Sequence, residues 1–246
     1  MRLRPTIPFF LFFVVVLLCA GAAQSADNCL PCLGFDRLDR LIRDGKLPRI
    51  EAEHQFREII SAIEDELAGR FPAMSTPWVF PLSGYDLATA GAGAAKGYVT
   101  AGYDYFDGNR HGGHPSYDLF IHDRDQDSRD DRTGEPVVVM SMTDGVVVAC
   151  ETKWEGGSTL RGGKYLWVYS PGEKLLIYYA HNRELLVKIG DWIRPGTPIA
   201  TVGRSGYNAA RRRSPTHLHL SVLHLENGRP LPINIIPRLA KLPRQN

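Results

Sequence analysis

From Trp78 onward the chain is built of short apolar, β-branched or aromatic runs divided by glycine and proline. They cover residues 137–140, 145–150, 165–169, 175–180, 198–202 and 218–223. Runs of this length and composition predict strands. Their close spacing leaves no room for helical crossovers, so the sheet is expected to be antiparallel. Upstream the period changes. Phe56, Ile59, Ile60, Ile63 and Leu67 recur at three- and four-residue intervals, with Pro48 suited to a first helical turn and Gly69 to a stop. A shorter helix is expected over residues 36–43, ending at Gly45. Two such short helices cannot bury their faces on each other alone, so they should pack on the β-rich part.

The first 25 residues read differently. Arg2 and Arg4 precede an apolar run over residues 9–23, and Ala23-Gln24-Ser25 supplies small residues of a cleavage site. This is the pattern of a secretory signal peptide, shorter than the roughly 20 residues that span a bilayer. A lipid attachment at Cys19 fits less well, because Leu18 stands where a small residue is wanted. The expected organisation is a signal peptide over 1–25, a helical segment over 26–76 and one β-rich domain over 77–240. Such a protein is expected in the periplasm or outside the cell, without integral membrane segments once the signal is removed. Without Arg2 and Arg4 the chain would balance 27 basic against 27 acidic residues, so bulk charge gives no reason to expect nucleic acid as a partner. In an oxidising compartment Cys29 and Cys32, just past the expected cleavage site, read as a small structural disulfide and Cys150, inside a strand, as a buried thiol.

Seven of the eight histidines follow residue 110, and His54 sits on an exposed helix face marked by Glu51 and Glu53. In Thr216-His217-Leu218-His219-Leu220, strand alternation puts His217 and His219 on one face and the leucines on the other. His114 and Asp118 lie four residues apart, about 13 Å along a straight strand. Pro115 and Ser116 break that strand, so His114 can fold back toward the carboxylate. His114, Asp118 and His219 together would make a three-ligand zinc site of catalytic type, with zinc favoured because imidazole dominates the donors. His181 closes an apolar strand and can reach such a site, and Tyr179 reads more readily as a packed strand aromatic than as a residue orienting it.

His114 to Asp118, Tyr179 to His181 and His217 to His219 resemble, in order, the H-x-x-x-D, Tyr-x-His and H-x-H of the lysostaphin/LytM-type zinc endopeptidases of bacterial cell walls. Asp144-Gly145-Val146-Val147, the segment from Gly190 to Ala200 and Gly203-Arg204-Ser205-Gly206 are similar to that family's flanking text. The resemblance spans roughly residues 78–237. It implies a mainly β, antiparallel, sandwich-like metallopeptidase domain behind a short helical segment. It also implies Zn2+ on His114, Asp118 and His219, His181 and His217 as catalytic residues beside the bound water, and peptidoglycan peptides as substrate. Ser116 stands where the family usually has glycine, a position that would strain the loop if it required positive φ.

Other chemistries find less support. There is no H-E-x-x-H, and Tyr207 occupies the second glycine of a would-be G-x-S-x-G elbow. Asp123, Asp125 and Asp127 open like a calcium loop, but Ser128 and Gly134 replace its obligatory glycine and glutamate, so residues 123–135 are expected to be a solvated insertion. Arg211, Arg212 and Arg213, near Arg204, form a basic loop expected to be solvated. Rival readings are a non-enzymatic envelope-binding or hydrolase-activating protein of the same fold and a calcium-dependent structural protein. The helical segment is expected to limit access to the groove.

Overall fold

A computed structural model describes residues 29–69, 77–91 and 97–244. The expected signal peptide lies outside the described residues. Among the described residues no helix is long and apolar enough to cross a membrane.

Two helices come first, α1 (Leu30–Arg43) and α2 (Arg49–Leu67). The first begins six residues earlier than its periodicity indicated. Pro31 is tolerated in a first turn, and the Cys29 sulfur, at the N-cap, accepts a hydrogen bond from the Cys32 amide. Cys29 and Cys32 are disulfide-bonded, so the C-x-x-C forms the opening turn of the helix. The second helix runs as expected, with Phe56, Ile60, Ile63 and Leu67 buried.

Beyond a short helix α3 (Leu87–Ala90) and 3-10 turns over Tyr105–Arg110 lie nine strands. They are β1 (Ser116–Phe120), β2 (Val138–Met140), β3 (Gly145–Glu151), β4 (Lys164–Ser170), β5 (Leu175–Leu185), β6 (Trp192–Ile193), β7 (Pro198–Val202), β8 (His217–Glu226) and β9 (Arg229–Pro232). A final turn of helix, α4, spans Ile236–Leu239. Every pairing is antiparallel. The main path runs β1-β8-β5-β4-β3-β6; β7 pairs both β2 and β5, and β9 extends from β8. The fold is thus a nine-stranded antiparallel sheet preceded by short helices.

Period-two alternation sorts the strands into two cores. Along β5, Leu175, Ile177 and Tyr179 enter one apolar cluster with Leu166, Val168, Leu218, Leu220 and the side chains of β2 and β7. Leu176, Tyr178 and Ala180 face the other, with Tyr165, Trp167, Phe35, Ile42 and Phe56. The helices therefore cover one sheet face, the face on which β8 also carries His217 and His219. Arg40 fastens α1 to that face through Glu151 at 2.7 Å and the Cys150 carbonyl at 2.6 Å. Cys150 is a free, buried thiol.

The segment 123–135 departs from expectation, since part of it is packed rather than solvated. Asp123, Ser128 and Asp130 are buried. Asp130 accepts from the Tyr85 hydroxyl at 2.6 Å and pairs with Arg132, and Asp123 accepts from Thr216 at 2.6 Å. Short side chains that bond their own backbone let an acidic sequence fold inward this way, and composition alone conceals it.

Candidate metal centre

β8 lies between β1 and β5, and its register places His219 opposite Asp118 on one side and Ala180 on the other. One step along, His217 faces Phe120. Leu218 and Leu220 are fully buried on the opposite face, so the alternation expected of H-x-H is present. Small Ala180 leaves the space above its position to its neighbours.

His114 precedes β1 and is held by a bridge to Val99. Its Nε2 reaches Asp118 Oδ1 at 3.5 Å, so the fold-back at Pro115 and Ser116 does bring the pair together. Positive φ falls on Gly113 rather than on Ser116. Ser116 instead lies in β1 and bonds Ser221 across the pair, so serine imposes no left-handed strain there.

His181 enters by a different device. It follows Ala180 on β5 with φ +65°, a region uncommon for non-glycine residues and one that re-aims the side chain. Its amide donates to the Gly162 carbonyl at 3.0 Å. Gly206 packs against the ring: a Cβ there would lie 2.7 Å from His181 Nδ1. The ring centroids of His181 stand 4.9 Å from His217 and 5.2 Å from His219.

Asp118 Oδ1 sits at the centre, 3.1 Å from His219 Nδ1 and 3.6 Å from His217 Nε2. Three of the imidazoles turn Nδ1 to a backbone carbonyl: His114 to Gly97 at 2.8 Å, His181 to Ser205 at 2.8 Å and His217 to Pro215 at 2.7 Å. A carbonyl only accepts, so each Nδ1 carries the proton, and in the neutral ring Nε2 keeps its lone pair. Metal-binding histidines are commonly oriented by such bonds. Two overlapping groups, His114–Asp118–His219 and His181–His217–His219, each present ligand atoms within 4.8 Å of one another. Imidazole with one carboxylate is a donor set suited to zinc.

Burial acts against charge here and pushes His181 and His219 below the ordinary imidazole range. The hydrogen bond to Asp118 holds His114 above it. Burial would also raise Asp118, but hydrogen bonds from His114 and His219 outweigh it and keep the carboxyl well below the usual range. The result is a carboxylate ringed by imidazoles.

These residues open into a cavity of about 310 Å3. Its wall also holds Asp39 from α1, Tyr178 from β5 and Arg161 from the β3–β4 connection, none of them singled out from sequence. The adjacent-strand alternation could have flagged Tyr178, which must face the His219 side if Tyr179 does not. Tyr179 is fully buried on the other face and its hydroxyl accepts from the Met142 amide, so it does not orient the site. His111 lines the cavity, His122 stacks on Tyr85 outside it, and His54 stands on α2 beside Glu58. Asp123, Asp125 and Asp127 also bring oxygens within 4.8 Å, but Asp123 already accepts from the amides of Asp127 and Ser128. In the basic loop Arg204 bonds the Ser214 and Arg211 carbonyls, and Arg211 lies over the Tyr207 ring.

The sequence model of Peptidase family M23 matches residues 130–232, less than half of the chain. That segment, which contains His181, His217 and His219, is homologous to the family; His114 and Asp118 lie upstream of it. No curated protein matches the chain. Among solved structures it is similar to the catalytic domain of the antimicrobial peptidase lysostaphin from Staphylococcus simulans, at 21% identity over 53% of this chain and 81% of that one, TM-score 0.38. For lysostaphin as a whole the values are 20%, 58%, 48% and 0.37, so the chain spans about half of that protein. A zinc containing peptidase from Vibrio cholerae is 19% identical over 69% of this chain and 41% of that one, TM-score 0.38.

Proposed function

We propose that the protein is a zinc metalloendopeptidase of the M23 type that hydrolyses peptide bonds in peptidoglycan, exported to the periplasm or beyond by residues 1–25. The observation that carries this reading is the convergence of His114, Asp118 and His219 beside the paired rings of His181 and His217. Zinc would be held by His114, Asp118 and His219. When bound, it lowers the pKa of water toward about 7 and polarises the scissile carbonyl.

His181 and His217 divide the proton work between them. A neutral imidazole with a free Nε2 accepts a proton from the attacking water, and an imidazolium stabilises the oxyanion or protonates the leaving amine. Their Nδ1 bonds to Ser205 and Pro215 fix both rings, so no reorganisation is needed at the moment of transfer. The homologous segment supports the peptidase reading for the downstream half of the site, and the cross-strand register of Asp118 with His219 supports it for the upstream half.

The test is digestion of purified sacculi followed by mass analysis of the soluble fragments. New peptide termini are expected, with release falling at least about 100-fold in His219→Ala. Protein that carries no zinc, or release that is unchanged in His219→Ala, would transfer the reading to a wall-binding or hydrolase-activating protein.

A further inference from the structure

The connection that leads into β4 brings two unmatched donors to the cavity wall beside the histidines, where the Tyr178 ring stands 6.1 Å from that of His219. Arg161 lines it, and its Nη1 donates to the carbonyls of Asn109 at 3.3 Å and His111 at 3.1 Å. Those bonds fix the direction of the guanidinium and leave its other N–H groups without a partner among the described residues. No acidic side chain pairs with it there. The Tyr178 ring packs on Trp167 at 4.5 Å, and its hydroxyl, also on the cavity wall, has no hydrogen-bond partner among the described residues. Gly162 explains the pairing, because a Cβ at that position would collide with the Tyr178 hydroxyl. A glycine directly after Arg161 therefore lets the guanidinium and the phenol share one wall.

Both groups are donors, and the guanidinium is a permanent, forked one, so they match an anion with two oxygens. Asp39, which lines the same cavity, accepts from Tyr105 at 3.2 Å and from Tyr165 at 2.7 Å, and no ion pair joins it to Arg161 among the described residues. A cavity of this volume accommodates a small peptide fragment. We infer that Arg161 and Tyr178 form a carboxylate-binding subsite, and that the protein selects peptides carrying a free carboxylate close to the bond that is cut. The inference deepens the peptidase reading and rests on it for the word substrate, but the binding it requires does not depend on cleavage.

The full-length protein is titrated calorimetrically with acetylated D-alanyl-D-alanine and with the same dipeptide amidated at its C-terminus. The free acid is expected to bind about tenfold more tightly or better, as a charge-assisted contact gives. Tyr178→Phe and Arg161→Gln should each bring the two affinities to within about threefold. Arg161→Lys should lose most of the preference although it keeps the charge, because it loses the fork. Tyr178→Phe removes one hydroxyl and no packing, so it stands as the test should Arg161→Gln fail to fold. Equal affinities in the unaltered protein overturn the inference. So does a preference that survives in both variants, as it would if the probe simply ligated the metal. Sacculus digestion without any acid preference removes this subsite and leaves the peptidase reading standing, whereas the preference without digestion does the reverse.

Discussion

Asp39 is 5% exposed and carries its carboxyl under the sheet, between the hydroxyls of Tyr105 and Tyr165. Burial raises its pKa to about 6, against the Tyr165 hydrogen bond and the field of Arg43, with Asp36 reinforcing the rise. The folded protein therefore keeps a proton that the unfolded chain releases near pH 4. Stability from this group is present at low pH, falls as pH rises through the window from about 4 to 6, and is flat above it, a change of roughly 3 kcal/mol at most. Asp39→Asn keeps the volume and removes the titration. Urea unfolding at a series of pH values should show the variant gaining on the parent across that window, since the carboxylates with lowered pKa, such as Asp118, act equally in both proteins. Parallel curves would mean that Asp39 is solvated. Legibility at this scale was uneven: spacing sufficed for His217 and His219, which obey strand alternation. Tyr179 packs as the strand aromatic it was expected to be, and Tyr178 went unflagged because His181, at φ +65°, leaves the alternation and so shares a site with Tyr178 rather than with Tyr179.

Helix α1 is an integral part of the site's wall, because Asp39, Ile42 and Arg43 line the same cavity as the histidines. Its attachment is polar at the edge and apolar beneath. Arg40 and Arg43 both reach Glu151, while Phe35, Leu38 and Ile42 cover Val148, Tyr165 and Trp167. Removing residues 26–76 would strip that cover and expose a contiguous aromatic and aliphatic patch of the kind that soluble monomers avoid. The truncated protein is expected to melt at a lower temperature, to bind a hydrophobic dye and to lose sacculus clearing with its cavity wall. Unchanged melting and unchanged clearing would show that the segment neither walls nor limits the groove. Six of the nine strands were readable as runs, though the first loses Val137 and β5 runs on five residues past Ala180, and β1, β6 and β9 were not among them. What stayed hidden was pairing: nothing in the periodicity tells which sheet face the helices cover. The early start of α1 was hidden too, because the C-x-x-C that looks like a loop is its first turn.

Among the described residues two places gather metal-type donors, and they should behave oppositely. At the histidine centre backbone carbonyls hold Nδ1 of His114, His181 and His217 and turn Nε2 inward, so the bonds a metal would replace are those of His114 and His219 to Asp118, made among the ligands themselves. At the 123–127 loop, Asp123 accepts from two backbone amides and from Thr216, bonds that a cation would have to break. Ligand that binds only the folded state stabilises it by about 2.7 kcal/mol at a hundredfold excess over Kd. For a chain of this size that is a rise of roughly 5–10 °C in melting temperature. Zinc added after chelation is expected to restore such a rise in the parent protein and in Asp125→Asn, and none in His219→Ala. Calcium at millimolar concentration should leave all three melting curves in place. A zinc shift of equal size in His219→Ala would move the ion away from β8, and a calcium shift abolished by Asp125→Asn would make the acidic loop the structural metal site instead. The two ions separate the readings because each demands a different donor, imidazole nitrogen for one and unencumbered carboxylate oxygen for the other.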